Sequence, residues 1–197
     1  MLYIFKDINI INNVFRCFPL EIQLYSLFAY IISQNNDILY LFFSVLLSEL
    51  SSPIFKEVIF KNICNINNID KIPLFGTCNR PIGAMNCSSF LSCEKKNSTN
   101  YGMPSGHSQV MSAATGYLYL YIKHKTDLKK NNIKLYYFIL GLLVFMNIYM
   151  AYTRVYVYKC HTIEHTIIGA LIGFIISKTL FFKINKKIKT NKKIKNE

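Results

Sequence analysis

Long apolar runs separated by shorter polar segments dominate the sequence. Four of these runs are Ile38 to Phe60, Ser105 to Ile122, Leu135 to Tyr152 and Thr162 to Phe182. As helices rising about 1.5 Å per residue, they are long enough to cross a hydrocarbon core of roughly 30 Å. A fifth run, Pro19 to Ser33, is shorter and contains Glu21, so it either spans with a tilt or lies along the membrane interface. The pattern predicts an all-α, polytopic membrane helical bundle with four spans and this possible fifth.

Composition and charge indicate how the predicted spans are oriented in the membrane. The chain has 197 residues, 52% of them hydrophobic, and a formal net charge of +13. Lysines cluster between the second and third runs, in residues 123–134, and again after Phe182. Because basic residues concentrate on the cytosolic side of spans, both clusters are predicted to be cytosolic. We expect one integral membrane domain, residues 1–182, and a basic cytosolic tail, residues 183–197. Nucleic acid is not an expected partner, since the lysines flank spans as topology requires.

The predicted non-cytosolic face carries the long loop from Lys61 to Met103. This loop contains Cys64, Cys78, Cys87 and Cys93, and the glycan acceptor patterns Asn86-Cys-Ser and Asn97-Ser-Thr. Either some of these cysteines pair or all are free thiols, because spacing does not fix connectivity. At the other end, Lys193-Ile-Lys195-Asn-Glu197 has the dilysine form of a retrieval signal, which favours the endoplasmic reticulum.

Three polar clusters are predicted to meet on that non-cytosolic face. They are Arg80-Pro81, the turn Pro104-Ser105-Gly106-His107, and the segment from Arg154 through His161 to His165. A proline suits the first turn of a helix, whose free N–H groups bind phosphate-like anions. Arginine side chains add forked donors for a group with several anionic oxygens. Each feature alone is also typical of a cap or an interfacial cation, but their convergence predicts a phosphoryl site.

The imidazoles suggest the chemistry of this site. His161 begins the last span, where a helix N-terminus disfavours its protonation and leaves a nucleophilic nitrogen. His107 is placed to protonate a leaving oxygen. His165 lies one turn beyond His161, from where a ring nitrogen would fix the tautomer of the nucleophile.

These motifs resemble the type 2 phosphatidic acid phosphatase superfamily, whose members carry Lys-x6-Arg-Pro, Pro-Ser-Gly-His and Ser-Arg-x5-His-x3-Asp. Pro104 to His107 matches the second motif, Arg80-Pro81 the end of the first, and Thr153-Arg154 with His161 most of the third. Tyr101 to Gln109 is most similar to the dolichyl diphosphate phosphatases.

The resemblance implies a chloroperoxidase-like helical fold and a lipid phosphatase that uses no metal or other cofactor. His161 would form a phosphohistidine and His107 would be the acid. Phosphoryl oxygens would bind the backbone of Ser105 and Gly106, the side chains of Arg80 and Arg154, and the motif lysine. Dolichyl diphosphate is the first substrate candidate, which implies a role in N-glycosylation. Phosphatidic acid or another lipid phosphate is the alternative.

The chain departs from the family pattern in three places. Lys71 precedes Arg80 by nine positions rather than seven, so Lys56 at the end of the first span is preferred as the motif lysine, with residues 60–79 as a loop insertion. Arg154 and His161 are separated by six residues rather than five. His165 stands where the family has an aspartate.

Two other classes of function remain open at this level. His161-Thr-Ile-Glu164-His165 matches the His-x-x-Glu-His pattern of a zinc protease. An inactive, lipid-binding member of the family would also carry irregular motifs.

Overall fold

The protein is a bundle of helices capped at one end by irregular segments. The computed structural model describes residues 2–66, 71–72, 76–84, 87 and 101–194. The helices are α1 (Leu2–Ser33), α2 (Asn36–Ile54), α3 (Lys61–Ile66), α4 (Gly106–Lys125), α5 (Leu128–Asn131), α6 (Ile133–Tyr152) and α7 (Ile163–Ile194). One small antiparallel hairpin pairs β1 (Lys71–Ile72) with β2 (Gly76–Thr77). The predicted all-α bundle is confirmed.

Three helical stretches in the described part of the chain are long and apolar enough to cross a membrane. They are Asn36–Asn65, Ile133–Val157 and Ile163–Lys186. These contain most of the first, third and fourth predicted spans. The second predicted span forms α4, which has 20 residues but is not among the three. Its Ser, Gln and Thr side chains lower its hydropathy, and most of them are buried against neighbouring helices rather than exposed.

Helix α4 lies at the centre of the bundle and packs most closely on α7. Gly169, Gly173 and Ser177 follow one another at intervals of four residues and so share a face of α7. A methyl group at Gly169 would collide with the carbonyl oxygen of Ser105, and one at Gly173 with that of Gln109. The small residues therefore let the two backbones approach directly, as in other membrane helix pairs.

Helix α1 is longer than the predicted run Pro19 to Ser33 and forms an antiparallel pair with α2. Asn35, in the turn between them, caps the N-terminus of α2, and its Oδ1 accepts from the Asp37 N–H at 2.9 Å. Tyr149 of α6 donates its hydroxyl to Asn12 Oδ1 at 3.0 Å, which attaches α1 to a third helix. The fifth run is thus part of a helix that is packed into the bundle rather than lying apart from it.

The two ends of the bundle differ. At one end, Lys125 Nζ of α4 lies 3.0 Å from Asp37 Oδ1 of α2, and the His124 ring contacts Phe181 and Phe182 of α7. Helix α7 runs past residue 182, so the boundary predicted there falls within a helix. The last three residues of the dilysine pattern, 195–197, lie outside the described residues.

The opposite end is closed by segments that were predicted as loop. Helix α2 continues through a π-helical stretch, Phe55–Phe60, into α3, so the first span does not end at residue 60 as predicted. Two disulfides fix this end, Cys64–Cys78 and Cys87–Cys160. The second was not predicted, because Cys160 lies outside the long loop. Cys93, Asn86 and Asn97 fall outside the described residues.

Candidate active site

A cavity of about 570 Å³ opens at the disulfide-bonded end of the bundle. Four of the predicted site residues line it: Lys56, Gly106, His107 and His161. The first helix pair contributes Pro19 and Glu49 to the same wall. Residues that are far apart in sequence therefore meet around one space large enough for a phosphorylated headgroup.

Arg154 is fully buried in a second π-helical stretch, Thr153–Val157, which follows α6. Its Nη2 donates to the carbonyl oxygen of Cys87 at 2.9 Å. Its Nε and Nη1 make no hydrogen bond to any residue that the structure describes. Buried guanidinium donors without acceptors are costly, so an anion that accepts from them would be bound strongly.

The π-helical geometry also explains the irregular third motif. The Tyr158 N–H bonds to the carbonyl oxygen of Thr153 at 2.9 Å, across five residues instead of four. The N–H groups of Cys160 and His161 then return to the carbonyl oxygen of Arg154, at 2.9 and 3.3 Å. A wider turn accommodates an additional residue, so the six-residue separation still brings His161 beside Arg154.

His161 is 2% exposed and lines the cavity. Burial, and after it the positive charges of Lys56, Arg154 and Arg80, hold its pKa well below the ordinary histidine value. The ring is therefore neutral at physiological pH, as a nucleophile requires. Its Nδ1 is buried and has no hydrogen-bond partner among the described residues.

His165 does not make the contact expected of an orienting residue. Its ring centroid lies 5.8 Å from that of His161, and its hydrogen bonds go elsewhere. Nε2 lies 2.5 Å from the carbonyl oxygen of Thr77, and Nδ1 accepts from the Thr162 N–H at 3.5 Å. The His165 N–H in turn donates to Thr162 Oγ1, a reciprocal pattern like a capping box at the start of α7.

The same bonds weigh against the zinc alternative. A carbonyl oxygen only accepts, so His165 Nε2 carries the proton and Nδ1 is held by an N–H. Neither ring nitrogen is then directed at a shared ion with His161. Within the described ranges, no third His, Cys, Asp or Glu completes a metal-binding group.

The start of α4 differs in two respects from the expected phosphate cradle. The helix begins at Gly106 with Ser105 as its cap, so Pro104 precedes the first turn instead of lying in it. The Ser105 N–H donates to the carbonyl oxygen of His165 at 2.9 Å and so is already engaged. The Ser105 hydroxyl caps the helix by accepting from the Ser108 N–H at 3.5 Å. Gly106 is the first residue of the helix, and its N–H has no acceptor within α4. A Cβ at Gly106 would lie 2.8 Å from Ser52 Oγ, so glycine also permits close packing on α2.

His107 is held by the first helix. Its Nε2 lies 2.9 Å from the carbonyl oxygen of Arg16 in α1. Because that oxygen only accepts, Nε2 carries a proton, and Nδ1 is the atom available for proton transfer. Sequence reasoning gave no indication of this contact, which joins residues 91 positions apart.

The first-motif cations come from two different elements. Asn79 pairs with Tyr101 in an isolated bridge, which holds Arg80 beside the segment that leads into α4. Arg80 interacts electrostatically with Lys56 and with His161. Lys56 lines the cavity from the first π-helical stretch, whereas the backbone of Lys71 pairs with Thr77 in the hairpin. The cavity thus favours Lys56 over Lys71, and the described residues of the predicted insertion include a helix extension, 61–66, and a strand pair, 71–72 with 76–77.

Three further residues near the cavity were missed. Arg16 is buried on α1, and Gln23 of α1 donates to Glu49 of α2. A charged residue in an otherwise apolar stretch is a signal that the sequence does contain.

Comparison with known protein families gave a match over most of the chain. The family model of the PAP2 superfamily matches residues 37–189, which include every site residue predicted from the sequence. No curated protein and no solved structure matches the chain. Since the family match covers well over half of the sequence, the chain belongs to the PAP2 superfamily.

Proposed function

We propose that this protein is an integral membrane phosphatase that hydrolyses a lipid-linked diphosphate, with dolichyl diphosphate as the first candidate. Membership of the PAP2 superfamily implies a phosphatase of lipid phosphates. The observation that carries the proposal is the buried Arg154 guanidinium, with two donors that have no acceptor among the described residues, beside a neutral His161.

The proposed reaction has two steps. A bound phosphate anion favours the imidazolium form of His107, which carries protons on both Nε2 and Nδ1. A ring nitrogen of His161 attacks phosphorus, the bond to the leaving oxygen breaks, and that oxygen takes the Nδ1 proton of this imidazolium. Water then attacks the phosphohistidine, gives a proton back to His107 and releases phosphate. Lys56, Arg80 and Arg154 neutralise the phosphoryl oxygens throughout, together with the N–H of Gly106. His161 is thus the nucleophile, His107 is acid and then base, and the remaining groups bind the phosphoryl oxygens.

The proposed setting is the endoplasmic reticulum, with the site facing the lumen and the C-terminus in the cytosol. Two disulfides at the site end of the bundle support an oxidising compartment on that side. The lysines between α4 and α6 and along the end of α7 support a cytosolic location for the opposite end. The lipid substrate and the bilayer are the expected partners.

The test is phosphate release by purified protein in detergent, from dolichyl diphosphate, dolichyl phosphate and phosphatidic acid side by side. We expect the diphosphate to be the best substrate and His161→Ala to lose activity about 1,000-fold or more. His124→Ala, at the other end of the bundle, is the matched control and keeps full activity. A transient phosphoenzyme that is labile in acid and stable in alkali identifies phosphohistidine.

Other outcomes decide against the proposal. Faster phosphate release from phosphatidic acid than from dolichyl diphosphate would make phosphatidic acid the substrate. No release from any lipid, with wild type and His161→Ala alike, would indicate an inactive lipid-binding member. Proteolytic activity that is lost in EDTA and regained with zinc would support the His-x-x-Glu-His alternative.

A further inference from the structure

We infer that Arg16 of α1 is a fourth cation of the phosphate site and that it selects a lipid diphosphate over a lipid monophosphate. The inference rests on the proposed phosphatase function and deepens it. Helix α1 ends at Ser33, before the region that matches the family begins at residue 37. Arg16 is therefore a feature of this chain that the family match does not include.

The pairing of α1 with α2 puts Arg16 at the depth of the site. Gln23 Nε2 donates to Glu49 Oε2 across the antiparallel pair, which fixes the register of the two helices. Arg16 lies seven residues before Gln23 (23 − 16 = 7), and Lys56 lies seven after Glu49 (56 − 49 = 7). Both positions are then about 10 Å from the Gln23–Glu49 bond along the helix axes, in the same direction.

The positions of two prolines agree with the same register. Pro19 lies four residues before Gln23, and Pro53 lies four after Glu49. The two prolines should then face each other across α1 and α2, and both do line the cavity. Arg16 lies one turn before Pro19 on α1, so it is next to this part of the cavity lining.

The contacts of Arg16 connect it with the proposed machinery. Its carbonyl oxygen holds His107 Nε2 at 2.9 Å. Its guanidinium interacts electrostatically with that of Arg154, and both oppose the effect of burial, which raises the pKa of the Tyr158 hydroxyl. Arg154 lies over the Tyr158 ring, with 5.5 Å between its Cζ and the ring centroid. The backbone of Arg16 is therefore next to the acid, and its guanidinium is near the cation that binds the transferred phosphate.

Charge then argues for a diphosphate. Arg16 is only 6% exposed, and with Lys56, Arg80 and Arg154 it makes four cations at this end of the bundle. Among the described residues that line the cavity, Glu49 is the one with an acidic side chain. Buried like charges repel, and a bound polyanion relieves the repulsion. A lipid monophosphate carries about two negative charges near neutral pH, and a second phosphoryl group adds about one more. Because His107 protonates the leaving oxygen, the leaving phosphate lies next to His107, and Arg16 would neutralise it.

The experiment compares two lipids that share one tail, farnesyl diphosphate and farnesyl phosphate, in wild type, Arg16→Met and Arg16→Lys. We expect Arg16→Met to lower kcat/KM for the diphosphate about 10- to 100-fold, the range for a charge-assisted contact, and for the monophosphate about 3-fold at most. Arg16→Lys keeps the charge and should recover most of the loss. Asn12→Ala is the matched control: it weakens the packing of α1 through Tyr149 without a change of charge, so both substrates should respond equally.

A measurement of phosphate binding, which needs no catalysis, tests this inference separately from the proposed function. Wild type should be stabilised against heat more by inorganic pyrophosphate than by orthophosphate, and Arg16→Met should lose that difference. If no lipid is hydrolysed but the difference is present and depends on Arg16, the proposed function is wrong and the diphosphate site remains. Equal losses for both lipids would make Arg16 a structural residue, and unchanged kinetics would remove it from the site; either result overturns the inference.

Discussion

Arg154 donates through Nη2 to the carbonyl oxygen of Cys87 at 2.9 Å, and Cys87 is covalently bound to Cys160, the residue before His161. A guanidinium and the proposed nucleophile are thus linked through one short path of backbone and disulfide. It joins Arg154 and His161 to Cys87, a residue of the long loop that none of the three motifs includes. It explains why the two side chains keep a fixed relation although no regular helix connects them.

Loss of this disulfide should reduce activity more than it reduces the amount of folded protein. Cys160→Ser frees the Cys87 segment, so the acceptor of Arg154 is no longer held, and we expect kcat/KM to fall about 10-fold or more. Closure of a long loop also contributes about 2–4 kcal/mol to stability, which thermal unfolding would report. Cys17→Ser is the control, because Cys17 is a free cysteine in α1. Full activity in Cys160→Ser would show that Arg154 needs no such support.

The close packing of α4 on α7 makes a second prediction. Gly173→Ala puts a methyl group onto the carbonyl oxygen of Gln109, so the helices must separate, at a cost of about 1–3 kcal/mol in the free energy of unfolding. Gly141→Ala, on α6, meets no atom within 4 Å and should stabilise the helix by about 0.5–1 kcal/mol. Unfolding in detergent measures both. If the two variants are equally stable, the helix contact is not as close as described.

A third prediction is that loss of the His165 side chain affects stability more than catalysis, in contrast to loss of His161. His165→Ala removes the bond to Thr77 and the side-chain half of the reciprocal cap with Thr162, so stability should fall by about 1 kcal/mol or more. Catalysis should fall only about 10-fold, because His165 does not contact His161 through a hydrogen bond in the described structure. His165→Asn can still accept from the Thr162 N–H and should recover part of the stability. Complete loss of activity with an unchanged melting temperature would instead assign His165 a direct catalytic role.

Sequence reasoning located the parts of the site that depend on local chemistry. A Pro-Ser-Gly turn favours the start of a helix through local interactions, so the start of α4 could be predicted, and the apolar runs located most of the helices. The use of the Ser105 N–H by His165 depends on how α4 meets α7, and the sequence does not specify that contact. Arg16 was missed for the same reason, because its depth follows from a Gln23–Glu49 bond between residues 26 positions apart.

The acid side of the pH profile should depend on the cations around His161. Their charges and the burial of the ring lower its pKa, so the neutral, nucleophilic form persists to a lower pH than for an ordinary histidine. Lys56→Met removes one of these charges; the pKa of His161 then rises, and the acid limb of kcat/KM should move to higher pH. Lys61→Met, on an exposed lysine paired with Glu57, removes an equal charge outside the cavity and should leave the limb in place. The pH midpoint of the acid limb is the readout, because weaker substrate binding lowers kcat/KM at every pH without a change of that midpoint. A limb that stays fixed in Lys56→Met, or moves to lower pH, would contradict an electrostatic contact between Lys56 and the nucleophile.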